Sequence, residues 1–217
     1  MNSRQYLYRH PRTGHYTGLW ACGRAIGPYT GRWPAGLVGR VYDFCGRPQN
    51  VLEPFGGTSK LGISIDLNRE VRPTLLADAH NLPIREGSFE MVLMDPPYEE
   101  VYHQGYMALT DKKVKLRFYR ALEEATRCVR PGGWLVVLHF LIPNRPRDAR
   151  VKRVATIGIS PGPNKRIRCL SIFRKGPRPS RTQALLSDTR QKGLTHHSAR
   201  HLRQRPDLKL EPKGSIC

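Results

Sequence analysis

The chain has 217 residues, which suits one domain of about 150 to 180 residues followed by a tail. It carries 37 Lys and Arg against 17 Asp and Glu, a net charge of +20. Residues 142–217 hold 19 basic and 4 acidic residues, a net charge of +15, against +5 for the first 141. This basic third favours a polyanionic partner, most simply nucleic acid, over a solubilising or lipid-attracted tail.

Cysteine and hydropathy patterns argue against several other classes. The five cysteines have no close pair and indicate neither a zinc site nor a disulfide framework, so reduced thiols are expected. The histidines are scattered too, and no metal site is expected. No signal peptide and no apolar run of about 18 residues is visible. The sequence therefore predicts a cytoplasmic protein without a membrane partner.

The first part of the chain gives a loop, a helix and a strand. Residues 1–34 are aromatic and basic without a sustained period, which predicts a long loop with at most a short helix. Apolar residues from Leu37 to Phe44 recur at helical spacing, and Pro34 suits a helix start. Residues 50–53 form the first predicted strand, and a glycine-containing loop follows it.

The next connections are unusually short. Only nine residues, Pro54 to Gly62, separate the first two predicted strands, and Leu67 to Pro73 lead into the third. A parallel crossover through a helix normally takes about a dozen residues or more. We therefore expect this half of the sheet to lack its covering helices, with other chain segments or a second subunit over the exposed face.

The predicted strand Phe89–Met94 leads directly into Asp95-Pro96-Pro97-Tyr98. Two prolines cannot continue a central strand, so the chain must leave the sheet here. A carboxylate, a rigid carbonyl and an aromatic ring then lie at the carboxyl end of a strand, where open α/β sheets bind ligands. These groups suit a flat amine, since two acceptors hold its hydrogens while the ring stacks on it. An ordinary strand-to-loop turn is the alternative.

The rest of the chain completes an α/β fold. Residues 99–113 predict a loop whose aromatic and basic side chains suit an unstacked base or simply pack on the core. A helix over 114–130, a strand over 134–138 and an antiparallel hairpin over 154–173 follow. The core ends near Lys175, and residues 176–217 are expected to be disordered.

Several of these motifs resemble those of a known family. Asp95-Pro96-Pro97-Tyr98 resembles motif IV of the S-adenosylmethionine-dependent DNA amino-methyltransferases, which modify adenine at its 6-amino or cytosine at its 4-amino group. Residues 52–57 resemble motif I of that family, and the helix starting near Pro34 resembles motif X, with a plain packing helix as the alternative. The resemblance runs from Trp33 to Lys175. It implies a Rossmann-like class I methyltransferase domain over residues 35–175, flanked by segments 1–34 and 176–217.

The resemblance also implies roles for individual residues. Asp66 would bind the ribose hydroxyls of the cofactor, and Asp78 would face the cofactor adenine. The implied catalytic residues are Asp95, Pro96, Pro97 and Tyr98. The implied residues for binding S-adenosyl-L-methionine are Glu53, Pro54, Phe55, Gly56, Gly57, Asp66, Asp78 and Ala79.

The implied activity is methyl transfer to the exocyclic amino group of adenine or cytosine in DNA. Related families with the same motif leave RNA or a protein amide open as the substrate. A non-catalytic nucleic-acid-binding protein on a methyltransferase scaffold is the alternative from another class. No segment is large enough for a separate target-recognition domain. Either sequence preference is low, or recognition is expected from the first 34 residues, the basic tail, a homodimer or a partner protein.

Overall fold

A computed structural model describes residues 3–24, 33–98 and 116–177. Within these ranges one sheet of nine strands carries two α-helices and a 3-10 helix, Arg69–Val71. The helices are α1, Leu37–Cys45, and α2, Phe118–Cys128. The strands are β1 Tyr8–Arg9, β2 Tyr16–Ala21, β3 Val51–Pro54, β4 Ile63–Asp66, β5 Leu75–Leu76, β6 Phe89–Met94, β7 Val129–His139, β8 Val151–Ser160 and β9 Arg168–Lys175.

The strand order across the sheet is β5-β4-β3-β6-β7-β9-β8-β2-β1. Strands β3 to β7 are mutually parallel, and β9 is antiparallel to both β7 and β8. The chain builds β3, β4 and β5 outward and then returns to place β6 on the other side of β3, as in doubly wound nucleotide-binding sheets. The predicted fold class is confirmed: a Rossmann-like, mostly parallel sheet with a C-terminal antiparallel hairpin.

The central strands are buried on both faces, which explains their continuous apolar sequences. Met91 and Leu93 of β6 pack on the α1 side of the sheet. Val92 and Met94 of the same strand pack on the α2 side. Helix α1 begins at Leu37, after Gly36 in the left-handed region (φ 79°). The two helices thus cover opposite faces of the same central strands.

The N-terminal segment differs from its prediction. The loop predicted over residues 1–34 is wrong for Tyr16–Ala21, which form β2 and pair in parallel with β8. Trp20 points into the core with 1% exposure, whereas Leu19 beside it is 57% exposed. Gly18 interrupts this alternation, so the strand pattern was not visible in the sequence. The boundaries of the three predicted segments stay a prediction.

The short crossovers are present as predicted. No helix lies between β3 and β4 in the described residues, and the next connection holds only the 3-10 helix. Four apolar side chains on β4, on β5 and before β4 remain 37–44% exposed: Leu61, Ile63, Leu75 and Leu76. A second subunit over this surface stays a prediction.

Two predicted segments lie outside the described residues. One is the whole predicted loop 99–113, with Tyr102, His103, Tyr106, Lys112 and Lys113. The other is residues 178–217 of the predicted basic tail, 176–217. In the described part of the chain, neither helix has the length and apolar character needed to span a membrane.

Candidate active site

The predicted catalytic and cofactor segments lie at one edge of the sheet. Strands β3 and β6 are parallel neighbours, with Leu52 beside Val92. Continuing this register by two residues places Pro54 beside Met94, so the loop after β3 and the segment from Asp95 begin next to each other. The strand order reverses between these strands, which opens a crevice beyond their carboxyl ends.

Asp95 is a buried carboxylate at this crevice. Its side chain is 4% exposed, and neither carboxylate oxygen has a hydrogen-bond partner among the described residues. Burial raises its pKa to about 7, and the nearby Arg168 opposes that shift. Pro96, which follows, is buried, and Pro97 is half-buried. An unpartnered buried acceptor is costly, so this carboxylate suits a ligand that brings hydrogen-bond donors.

Tyr98 is held by groups at the ends of two strands, β7 and β9. Its hydroxyl accepts a hydrogen bond from Nη1 of Arg168 at 3.0 Å. Its ring centroid lies 5.2 Å from that of His139, edge to face, and 4.7 Å from that of Phe140. The ring centroid of Phe118 of α2 lies 4.8 Å from that of His139. These contacts fix the orientation of the Tyr98 ring beside Asp95.

The loop after β3 follows the sheet so closely that two positions require glycine. A Cβ on Gly56 would lie 2.8 Å from the carbonyl oxygen of Glu53 and from Cβ of Ser64. A Cβ on Gly62 would lie 2.2 Å from the carbonyl oxygen of Val51. Phe55 adopts the left-handed region (φ 61°), which non-glycine residues rarely occupy. This strained, close loop is a further mark of a binding site.

Glu53 provides a second buried carboxylate at the same edge. It is 1% exposed, and its Oε1 accepts a hydrogen bond from Oγ of Ser59 at 2.8 Å. Burial raises its pKa, opposed by Ser59 and by the backbone amides of Leu61 and Gly62. Its Oε2 has no partner at normal hydrogen-bond geometry within the described residues.

Asp66 holds the glycine loop in place. Its Oδ2 accepts from the amide of Gly57 and its Oδ1 from the amide of Asn68, both at 2.9 Å. The residue is 2% exposed. Its position at the end of β4 is the one predicted from the sequence. Both of its oxygens, however, already accept hydrogen bonds from backbone amides in this structure. The predicted contact with ribose hydroxyls stays a prediction.

Asp78 and Ala79 lie in a turn that is tied to the start of α2. Oδ1 of Asp78 accepts from the amide of His80 at 2.9 Å and contacts its Nδ1 at 2.6 Å. Nε2 of His80 accepts from the amide of Arg117 at 2.8 Å, so the network assigns the proton to Nδ1. Ala79 is buried. The predicted role of this turn in binding the cofactor adenine stays a prediction.

Sequence reasoning missed three residues around the site: His80, His139 and Arg168. His139 ends β7 beside Tyr98, and burial lowers its pKa, which favours a neutral ring. Arg168 is 70 residues from Tyr98 in the chain and reaches it only because β9 is antiparallel to β7. The predicted hairpin contained the signal, since an antiparallel strand must begin at the edge where the parallel strands end.

Comparisons with known proteins found similarity in structure only. No protein-family model matches the sequence, and no curated protein sequence matches it. TrmN from Thermus thermophilus matches at 17% identity and a TM-score of 0.43, over 64% of this chain and 48% of that one. Burkholderia thailandensis 1,6-didemethyltoxoflavin-N1-methyltransferase, with bound S-adenosylhomocysteine, matches at 12% identity and a TM-score of 0.44, over 64% and 76%.

A third structure, of SAM-dependent methyltransferases from Methanosarcina mazei, matches at 13% identity and a TM-score of 0.41, over 59% of this chain and 93% of that one. The chain spans about half the length of the Thermus protein and of a matched structure from Methanococcus maripaludis. At this level of similarity the comparisons assign neither a family nor a substrate to this chain.

Proposed function

We propose that the protein is an S-adenosyl-L-methionine-dependent methyltransferase that acts on the exocyclic amino group of adenine or cytosine in DNA. The observation that carries this proposal is the buried carboxylate of Asp95, without a hydrogen-bond donor among the described residues, beside the fixed ring of Tyr98. These groups lie where a doubly wound sheet binds its ligands.

The two side chains suit an aromatic amine. The lone pair of a nucleobase amino group is delocalised into the ring, which makes its nitrogen a weak nucleophile. Asp95 would accept one amino hydrogen and the carbonyl of Pro96 the other, which favours a tetrahedral nitrogen whose lone pair can attack. The ring of Tyr98 would stack on the base and hold it in the plane that these acceptors require.

The glycine loop and Glu53 fit the proposed cofactor. Oε2 of Glu53 is a buried acceptor available to hydroxyl or ammonium hydrogens of a ligand. Gly56 lets the backbone of the loop approach closely, as in other nucleotide sites. Asp66 would act by holding Gly57, and Asp78 lies at the next strand end. Bound S-adenosylmethionine would supply an electrophilic methyl group.

The charge of the chain supports a nucleic-acid substrate over a free amide. The net charge is +20, with +15 in residues 142–217. Lys and Arg in such excess bind phosphates and release counterions. Of the two nucleic acids, we favour DNA because the motif at Asp95 resembles that of the DNA amino-methyltransferases.

Nucleoside mass spectrometry tests the proposal directly. Purified protein is incubated with S-adenosylmethionine and separate pools of double-stranded DNA, single-stranded DNA and RNA. The variant Asp95→Ala removes the proposed acceptor. The matched variant Asp43→Ala removes a carboxylate on the outside of α1, where it pairs with Arg47. We expect methylated adenine or cytosine in DNA with the wild type and Asp43→Ala, and a loss of at least about 100-fold with Asp95→Ala.

Other outcomes would overturn the proposal in distinct ways. Methylation confined to RNA would contradict the substrate while leaving the chemistry of Asp95 intact. Equal activity of Asp95→Ala and the wild type would contradict the site. No methylated base in any pool would contradict the enzyme assignment for nucleic acid.

A further inference from the structure

Arg168 enters the site from the antiparallel hairpin rather than from the parallel strands. It begins β9, and its side chain is 13% exposed. Nη1 of Arg168 lies 3.0 Å from the hydroxyl of Tyr98 and 3.6 Å from Oδ2 of Asp95. Its guanidinium carbon lies 5.8 Å from the centroid of the Tyr98 ring. One cation thus contacts both residues that the proposed function requires.

The two contacts have different physical consequences. The 3.0 Å hydrogen bond fixes the hydroxyl of Tyr98 and, with it, the plane of the ring. The distance of 3.6 Å to Asp95 is too long for a normal hydrogen bond but short for an attraction between opposite charges. Arg168 can therefore favour the ionised carboxylate while leaving its oxygens available for a ligand.

The charge state of Asp95 depends on this cation. Burial alone favours the protonated acid, which donates one hydrogen where the proposed chemistry needs an acceptor. Among the described residues, Arg168 from β9, His139 from β7 and the ring of Phe140 lie against Asp95 or Tyr98. The guanidinium carbon of Arg166 lies 5.6 Å from the centroid of the Phe140 ring. Burial lowers the pKa of His139 and favours its neutral form. Arg168 is therefore the cation that contacts both Asp95 and Tyr98 in the described part of the chain.

We propose that Arg168 is a positioning residue that favours the ionised form of Asp95 and holds the ring of Tyr98 in place for the substrate. The consequence for catalysis rests on the proposed function above. The electrostatic contact itself does not, and it can be tested without any substrate. The role also gives the C-terminal hairpin a part in the site, although none of the sequence motifs includes it.

Carbon-13 NMR of aspartate carboxyl groups tests the electrostatic part. Protein labelled at aspartate is titrated from pH 4 to pH 9, and the Asp95 signal is assigned by its absence in Asp95→Asn. In the wild type we expect a midpoint near 7. Arg168→Gln should move it upward by about one pH unit, because an opposite charge lowers a carboxyl pKa by about that amount or more. Arg168→Lys, which keeps the charge, should stay close to the wild type.

Lys165→Gln is the matched control. It removes one positive charge from an exposed position in the same hairpin. It should leave the Asp95 midpoint unchanged. If Arg168→Gln and Lys165→Gln both leave the midpoint at the wild-type value, the proposal is overturned. If Arg168→Gln does not fold, Arg168→Lys is measured instead. A midpoint of Arg168→Lys about one pH unit above the wild type would contradict the proposal, because the positive charge is still present in this variant.

Kinetics test the positioning part. In Arg168→Gln the acidic limb of the methyl-transfer rate should move to higher pH together with the NMR midpoint. In Arg168→Lys the limb should stay in place, while KM for the nucleic acid rises about tenfold because the guanidinium hydrogen bond to the hydroxyl of Tyr98 is lost. A wild-type protein that methylates nothing would contradict the proposed function and leave the NMR result standing. An active wild type whose pH profile and KM survive both substitutions would overturn the role of Arg168.

Discussion

At the scale of single residues, the buried carboxylate of Asp95 suits ligand binding but lowers the stability of the fold. Its pKa rises from 3.8 in the unfolded chain to about 7 in the fold. Between these pH values the folded state binds more protons than the unfolded chain does. The free energy of unfolding therefore falls as pH rises and Asp95 ionises, and the full loss is reached above pH 7. Asp95→Asn should therefore be more favourable for stability at pH 8 than at pH 5, by about 3 kcal/mol in the free energy of unfolding.

Urea unfolding at the two pH values measures this difference, which does not depend on how well the amide packs. Asp43→Asn is the control, since Asp43 pairs with Arg47 on the surface of α1. It should show no gain at pH 8 relative to pH 5. An equal effect of Asp95→Asn at both pH values would show that the carboxylate is not buried as described. The methyl-transfer activity of the wild type should rise through the same pH range, because only the ionised group is a full acceptor.

At the scale of elements, the loop between β3 and β4 replaces a helix and tolerates little change. A Cβ on Gly62 would meet the carbonyl oxygen of Val51 at 2.2 Å, and that oxygen belongs to a central strand. Gly62→Ala should lower the free energy of unfolding by about 3 kcal/mol, as overpacking does, and weaken the proposed binding of S-adenosylmethionine at Glu53. Urea unfolding and calorimetric titration measure the two effects.

Gly39→Ala provides the contrast. Gly39 lies within α1, and an added Cβ would meet no atom within 4 Å. This substitution should stabilise the protein by about 0.5 to 1 kcal/mol, because glycine is unfavourable inside a helix. If Gly62→Ala unfolded at the same urea concentration as the wild type, the close approach of loop and strand would be disproved.

The elements that the sequence predicted well are those whose pattern is local. The apolar run Phe89–Met94 predicted β6, and the apolar face of α2 predicted most of that helix. The short connection from Pro54 to Gly62 predicted correctly that no helix lies between β3 and β4. Strand β2 was missed because its partner β8 lies more than 130 residues further on. Arg168 was missed for the same reason: its contact with Tyr98 depends on the pairing of β9 with β7.

At the scale of the whole molecule, the N-terminal segment is part of the sheet that carries the site. Strand β2 covers the edge of β8, and Trp20 enters the core cluster that α1 covers. Trp20→Ala should therefore lower the free energy of unfolding by about 3 to 5 kcal/mol. Leu19→Ala, one residue earlier on the outer face, should cost less than about 1 kcal/mol.

The difference between these two variants tests whether the segment folds with the rest of the chain. Hydrophobic burial scales with the area removed from water, so only a side chain packed between β2 and α1 can account for a loss of several kcal/mol. Chemical unfolding should show one transition, shifted by Trp20→Ala for every probe. A separate early transition, with the main transition unchanged, would mean that β2 is an attached strand. In that case β8 would be the outermost strand of the cooperatively folded sheet. Strand β9 with Arg168 would still pair with a strand on each side.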